Sequence, residues 1–356
     1  MLPKLGLATD VRVGEWLAGD LHCHTTYSHD VWAGPGDDNT GLDEAYTLGW
    51  TPADQILIAE LRGLNFLAIT DHNDVRALTD DGYASSKLTL LRGYEHSLSK
   101  GHAGCLGPNI TSVFENMNTS TDDGALALRD AVHEAGGIFI LNHPFYSSGW
   151  GYSPAVRPDS VEVWNIGWPY RHVGKTNIPP EPSVSDNYKS LPYWEESFLA
   201  SGKMPATGGS DNHYRATTAI QGVGQPTTWV FAADRSQQAI IDGIRAGRTV
   251  VSAEPPVLGG PFIELQAEAA SQRWMVGDTV PAAVGQAAVT ARVLNAPGHV
   301  LRFVVDGQPA RQARILKPDQ TVRLNVNAGA IDRVRAEAFL MHDYWMGAIT
   351  SPIYFG

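Results

Sequence analysis

The sequence predicts an α/β fold: a large domain of barrel type over residues 1–254, followed by a small antiparallel β-sandwich over residues 255–356. Three observations predict it. Short apolar runs alternate with stretches of helical period as far as Ser252, the signature of a parallel sheet built from β–α units. Successive runs end on His, Asp or Glu, and the carboxyl ends of strands are where barrels and open α/β sheets assemble their sites. Beyond Pro255-Pro256 and Gly259-Gly260-Pro261 the texture changes to short alternating strands separated by turn dipeptides such as Asp306-Gly307 and Pro318-Asp319, as in a sandwich.

The elements follow in order. Glu15 to Leu21 reads as a strand, and because residues two apart share a face, His22 and His24 leave its end in the same direction, half of a metal clamp. Val31 to Gly49, rich in Gly, Pro, Asp and Asn, reads as a long loop. Thr51 caps a helix from Pro52 to Arg62 that places Ile56, Leu57, Leu61 and Leu64 on one face. Phe66 to Thr70 is a strand ending at Asp71-His72, and Leu88 to Tyr94 another ending at Glu95-His96, with a fourth candidate at His102 to Leu106.

Asp123 is placed to cap a helix carrying Leu128, Ala131, Val132 and Ala135, which Gly136-Gly137 terminates. Ile138 to Leu141 closes on Asn142-His143-Pro144, Val161 to Asn165 is a sixth strand, and Pro205 to Thr207 leads into Gly208-Gly209-Ser210-Asp211-Asn212-His213. Ser236 to Ala246 is the last helix and Gly247 to Ser252 a closing strand. Seven strand ends thus converge on one mouth. The β domain offers strands at Phe262–Leu265, Ala288–Leu294, Val300–Val305, Val322–Val326 and Arg333–Leu340. It holds only His299 and His342 and reads as structural or as an oligomerisation module, which leaves a homo-oligomer open.

Composition excludes several classes. A chain of 356 residues with 43% apolar content has the length for two domains and the make-up of a folded protein. No run approaches the roughly 18 apolar residues of a membrane helix, so no membrane partner is expected. Met1 to Gly6 lacks the pattern of a secretory leader, and a cytoplasmic location is the expectation, although a processed secreted form would read the same. Residues 1–254 carry 17 basic and 30 acidic side chains and residues 255–356 carry 9 and 8, within a net charge of −12. Binding to a nucleic-acid backbone needs clustered Lys and Arg, so that partner is excluded, while a cation suits the acidic part. Two cysteines rule out a disulfide scaffold, and Cys23, facing away from His22 and His24, reads as a small buried hydrophobe.

The candidate site gathers His22, His24, Asp71, His72, Glu95, His102, His143, Asp211 and His213, with His29 and Asp30 beside them; with His96 next to Glu95, eight of the 12 histidines lie in these motifs. Imidazoles crowded in one cavity repel protons and stay neutral, the form that binds metal. So many ligands exceed a single tetrahedral ion and imply two or three divalent ions such as Zn, Mn or Fe.

In type, order and spacing, Asp20 to His24, Thr70-Asp71-His72, Glu95, Asn142-His143-Pro144 and Ser210-Asp211-Asn212-His213 resemble the motifs of the polymerase and histidinol phosphatase (PHP) superfamily, over about residues 16–252. Gly247 to Ser252 and the appended β domain look most like its carbaryl-hydrolase branch. The resemblance implies a distorted (β/α)7 barrel, with one metal on His22, His24, Glu95 and Asp211 and a second on Glu95, His102 and His143, Glu95 bridging. It implies a third on His72, His213 and an Asp after Ser28, where this chain has His29 and then Asp30. His96 is a rival to His102.

The expected chemistry is hydrolysis of a small-molecule phosphoester by a metal-bridged hydroxide, with Asp71 or His213 passing a proton to the leaving group. Arg76, Lys100, Arg215 and Arg248 are the cations near the motifs that could meet a phosphate. The alternative is a carboxylic or carbamic aryl ester, as in the carbaryl-hydrolase type. For it stand Tyr146, Trp150, Tyr152, Trp164, Trp168 and Tyr170, which read either as a lid over an apolar leaving group or as packing for a long loop. A non-catalytic metal-binding module is the third reading.

Overall fold

Local chemistry sets the helix starts as the sequence suggests. In the computed structural model, which describes residues 13–28, 50–114, 117–145, 149–168, 186–213, 222–340 and 345–356, helix α1 (Pro52–Leu61) begins in a capping box: Thr51 Oγ1 accepts the Asp54 N–H and the Asp54 carboxylate accepts the Thr51 N–H. Helix α2 (Asp122–Glu134) is capped by Thr121 rather than by Asp123, which instead lies in the first turn, where a carboxylate complements the helix dipole. Ser236 caps α4 (Gln237–Arg245). Helix α3 (Asp186–Ser197) escapes the sequence reading because Pro192 and its polar residues blur the helical period.

The strands of the first part are β1 (Glu15–Asp20), β2 (Phe66–Ile69), β3 (Thr89–Leu98), β4 (Gly101–Leu106), β5 (Ile138–Asn142), β6 (Ser160–Asn165), β7 (Ala206–Gly209), β8 (Thr227–Ala232) and β9 (Thr249–Ser252). They lie side by side in the order β9-β8-β1-β2-β3-β4-β5-β6-β7. The expected parallel arrangement holds for β1 with β2, β2 with β3, β5 with β6 and β6 with β7. It fails at β4, which runs antiparallel to both β3 and β5. Only Ser99 and Lys100 separate β3 from β4, and so short a link makes a hairpin, not a crossover. The unforeseen β8 is antiparallel to β1 and β9.

The later strands are β10 (Phe262–Ala269), β11 (Gln272–Met275), β12 (Thr279–Val280), β13 (Gln286–Leu294), β14 (Val300–Val305), β15 (Gln308–Arg314), β16 (Asp319–Asn327), β17 (Arg333–Leu340), β18 (Trp345–Thr350) and β19 (Ile353–Phe355). β11, β10, β13 and β16 form a four-stranded antiparallel sheet, while β18 pairs with β9 and carries the large sheet onward into β17, β19 and β14. Ile263, Leu265 and Val289 of the small sheet meet Leu301, Phe303 and Val334 of the large one in one buried core. A second core gathers Trp164, Trp168, Trp194 and Phe198 where α3 covers β6. No helix among the described residues is long and apolar enough to cross a membrane.

Candidate metal centre

The centre starts from a buried carboxylate that lies outside the donor groups and spends its oxygens on backbone N–H groups. Asp20, at the end of β1, accepts the backbone N–H groups of His22, Ser210 and Gly224 at 3.1, 3.1 and 2.7 Å. These bonds turn the chain so that the ends of β1 and β7 face one another, and the Asp211 N–H donates to His22 O at 2.8 Å. Bridges from Cys23 to Asn212 and from His72 to Glu95 extend the ladder past the strand ends. Cys23 itself is buried among apolar residues, as expected.

Four donor atoms then converge. His22 Nε2 and His24 Nε2 lie 3.1 Å apart. Asp211 Oδ1 is 3.3 and 3.1 Å from them, and Glu95 Oε2 is 3.3 and 3.5 Å from them. Ligands on a tetrahedral ion with bonds of about 2.0–2.1 Å are separated by about 3.3 Å, so these spacings are those of a first coordination shell. Glu95 Oε2 is buried and accepts no hydrogen bond among the described residues, a lone pair that a cation would satisfy.

The other Glu95 oxygen faces a second set. Oε1 is 3.1 Å from His143 Nε2 and 3.3 Å from His102 Nδ1, and it accepts the Asn142 amide at 2.9 Å. His72 Nδ1 stands 3.1 Å from Oε2. Three groups have their ligand atoms within 4.8 Å of one another: His22, His24, Glu95 and Asp211; His72, Glu95 and His102; and His24, His72 and His213. Glu95, His24 and His72 each belong to two. The hairpin register decides between His96 and His102: Ser97 pairs with His102 and Glu95 with Gly104, so Glu95, Ser97 and His102 share a face and His96 takes the other. His72 and His213 come together with His24; His29 and Asp30 lie outside the described residues.

Hydrogen bonds at the far side of the rings choose the tautomers. Ser28 Oγ donates to Asp71 at 2.9 Å, so at its 2.8 Å contact with His24 Nδ1 the imidazole is the donor. His22 Nδ1 faces Glu162 Oε1 at 3.1 Å, and His213 Nδ1 faces the Asp211 carbonyl at 2.8 Å. In His24 and His213 the proton is held at Nδ1 and the Nε2 lone pair is presented for ligation; His22 also holds Nδ1–H, against Glu162, and a cation at its Nε2 would take the place of the second proton that the surrounding carboxylates favour.

Charge in the cluster departs from the expectation of uniformly neutral imidazoles. Burial drives His24 down to about 3, aided by His213 and His72. Burial works against the protonation of His22 as well, but Glu95, Asp211 and Glu162 outweigh it and hold that ring well above the usual histidine range. Glu95 and Asp211 are in turn held well below the usual carboxylate range, against their burial, by the surrounding histidines. The reason is stoichiometric: three carboxylates share this space, and the positive charge they call for is what metal ions supply.

Several side chains do work the sequence did not reveal. Glu162 accepts the His143 N–H at 2.8 Å through Oε2 and holds His22 through Oε1. Asn165 donates to Glu162 and to Asp211, each at 3.2 Å. In the sequence Glu162 is marked only as a carboxylate between Val161 and Val163, and that all of β6 is buried is seen in the structure alone. His143 and Asp211 have φ of 23° and 47°, a left-handed backbone that disfavours ordinary residues and here aims both side chains inward. Asp71 uses its oxygens on Thr25 N–H at 2.6 Å, Thr25 Oγ1 at 2.7 Å and Ser28 Oγ at 2.9 Å, so it anchors the His22 to Ser28 turn.

The aromatic stretch packs. Trp164 and Trp168 are buried, Tyr152 is buried with its hydroxyl on Thr119 O, and Trp150 lies against Tyr152 and Phe139. Tyr146 and Tyr170 lie outside the described residues, as does Arg215. Arg76 is paired with Asp74, Lys100 lies over the Tyr152 ring, and Arg248 precedes β9 at the strand's amino end.

No family model matches the chain, and no curated protein does. Among solved structures it is similar to a two-domain protein from Bacteroides vulgatus containing a predicted PHP-like metal-dependent phosphoesterase, with a TM-score of 0.46 and 16% identity over 97% of each chain. It is also similar to a protein from Bifidobacterium adolescentis assigned as a metal-dependent phosphoesterase, at 0.36 and 18% over 58% of this chain and 90% of that one. An amidohydrolase from Chromobacterium violaceum with bound sulfate and no metal matches at 0.35 and 17% over 55% of this chain and 87% of that one. The donor geometry, not these likenesses, carries the assignment of the site.

Proposed function

We propose that the chain is a metal-dependent hydrolase of the PHP type that cleaves a small phosphoester. The observation that supports this best is the set of three donor groups joined through Glu95, His24 and His72. Such sharing suits ions a few ångströms apart, and a phosphoryl centre, with charge on several oxygens, gains more from them than a carboxylic ester does. His22, His24, Glu95 and Asp211 hold one ion; Glu95, His102 and His143 hold a second; His72 and His213, with His24 beside them, belong to a third. When bound, divalent cations (Zn, Mn or Fe) supply water whose pKa falls from about 16 to about 7 and neutralise the phosphoryl oxygens.

The remaining work belongs to the protein. Glu162, Ser28 and the Asp211 carbonyl keep the Nδ1 protons in place, and Asn142 and Asn165 orient Glu95 and Asp211. His213, partly exposed at the rim, passes a proton to the leaving oxygen in the form whose Nε2 carries a proton and holds no ion, whereas Asp71 is a positioning residue. The barrel and the division at residues 254 and 255 form part of the proposal. The Thr228 and Thr249 hydroxyls donate to Gly208 O and Ala206 O, so side chains of β8 and β9 reach the far end of the sheet at β7.

The test is a parallel assay of the metal-loaded chain on an aryl phosphate, an aryl phosphodiester, an aryl acetate and an aryl carbamate. Turnover of a phosphoester that stops on chelation and returns with added metal is expected. Turnover confined to the acetate or carbamate would move the assignment to the carbaryl-hydrolase type.

A further inference from the structure

At the amino ends of β6, β7 and β9, the end away from the metal centre, is a cavity of about 390 Å³ whose walls carry Arg129, Arg157, Lys203 and Arg245 beside His133 and Asp159. Four permanent cations meet here in a chain of net charge −12. Their partners are mostly neutral. Lys203 Nζ donates to Gly277 O at 2.7 Å, and Arg245 donates to Gly137 O. Arg157 donates to Ser201 Oγ at 2.7 Å and to the carbonyls of Phe198 and Lys203 at 3.1 and 3.0 Å, leaving two of its five N–H groups. Among the described residues Arg129 is paired with Asp130 and the charge of Asp278 acts on Lys203, while Arg157 and Arg245 are held by neutral acceptors; Asp159 is taken by His133 and the Phe139 N–H.

We propose that this cavity is a second, non-catalytic site that binds a small phosphorylated anion. Carbonyl partners hold the guanidinium and ammonium groups in place without neutralising them, so their charge is left for a ligand that enters between them. Arginine favours planar, two-pronged contacts with phosphate oxygens, and lysine adds a point charge. Lys203 and Arg157 sit over the rings of Tyr354 and Phe198, which limits their freedom and lowers the entropy lost on binding. Burial also draws both below their usual pKa, a penalty that an anion would relieve. The volume is at the lower end for small-molecule sites, so the ligand is a small phosphate and not a polymer. β6, six residues long, runs roughly 20 Å from the cavity at its amino end to Asn165 beside the donor cluster, with Glu162 about halfway along.

The test is calorimetric titration of the metal-loaded full chain with inorganic phosphate and with a non-hydrolysable alkyl phosphonate. A His143→Ala variant removes phosphate binding that belongs to the metal centre. Lys203→Met changes an exposed side chain with one hydrogen bond, and Arg157→Gln is the second variant. One binding event should persist in His143→Ala and weaken at least roughly tenfold in Lys203→Met and Arg157→Gln. If only the phosphonate binds, the ligand is an organic phosphate; if both bind, free phosphate suffices. No binding at millimolar concentrations, an event unchanged in Lys203→Met, or one lost only in His143→Ala would overturn the proposal.

Discussion

Glu162 Oε1 lies 3.1 Å from His22 Nδ1, and the same carboxylate accepts the backbone N–H of His143 through its other oxygen at 2.8 Å. One side chain outside the ligand set thus orients a ligand of the first donor group and the backbone of a ligand in the second. Glu162→Gln keeps the shape but replaces one acceptor with a donor amide. Removing such a partner typically lowers metal affinity by about 10–100-fold, and titration in metal buffers should show a loss of that size. Unchanged affinity would mean that His22 is oriented without Glu162.

Glu95 holds the two sets together. Its oxygens face His22, His24 and His72 on one side and His102 and His143 on the other. Glu95→Gln leaves the contact with Asn142 possible but removes the bridging charge. Elemental analysis should show at least one ion fewer per chain, and turnover should disappear with it. Full metal content together with full turnover in this variant would contradict the bridging role.

Much of this cluster was legible because most of its candidate ligands end short apolar runs, a pattern that survives in linear sequence; His102, near the start of β4, is the exception. His22, His24, Glu95, His102, Asp211 and His213 fall in the three donor groups and His143 lies 3.1 Å from Glu95, although 191 positions separate the first from the last. What was hidden depends on register and packing. His102 prevails over His96 only once the Ser97–His102 pairing is known, and Glu162 looks like any residue of a strand until β6 is seen buried on both faces. The pairing of β18 with β9 spans nearly a hundred residues, and local period carries no record of such a partner. Trp164 and Trp168 sit next to ligand-bearing strands in sequence, yet their rings turn into the core beside Trp194.

Gly209 ends β7 where the backbone must pass His22. A Cβ there would stand 2.3 Å from His22 Cβ and 2.6 Å from Glu162 Oε1. Neither neighbour can yield without disturbing the donor set. Gly209→Ala should therefore cost about 1–3 kcal/mol in stability, as overpacking commonly does, and weaken metal binding as well. Denaturant melts and a metal titration check the two effects; a variant with wild-type values for both would show that His22 has room to shift.

Chelation should lower the melting temperature. Ions that bind only the folded chain add RT ln(1 + [L]/Kd), about 4 kcal/mol at a thousandfold excess over Kd. Wild-type protein should lose several degrees on treatment with a chelator and recover them with metal, while Glu95→Gln should respond less. Equal melting with and without chelator would argue that no ion is held.

Away from the donor cluster, Glu337 sets an acid limit on stability. Its buried carboxylate takes Arg302 at 2.8 and 2.6 Å and also Arg335, while Glu195 of α3 takes Arg333 and Arg335 at 2.9 and 2.7 Å. Burial alone would raise the Glu337 pKa, but Arg335 and Arg302 hold it below the usual value. A carboxylate lowered in the folded state contributes stability above its unfolded pKa of about 4.3 and loses that contribution as pH falls through the folded value. Glu337→Gln removes a buried carboxylate from Arg302 and Arg335, and because Arg335 keeps Glu195 the expected cost near neutrality is about 3 kcal/mol, the low end for a broken buried pair. The melting difference between wild type and Glu337→Gln should stay level from pH 7 to about pH 5 and shrink on further acidification, because the wild type then loses the same charge. A difference that stays constant or widens below pH 4 would show that the charge of Glu337 is not what links β17 to its neighbours.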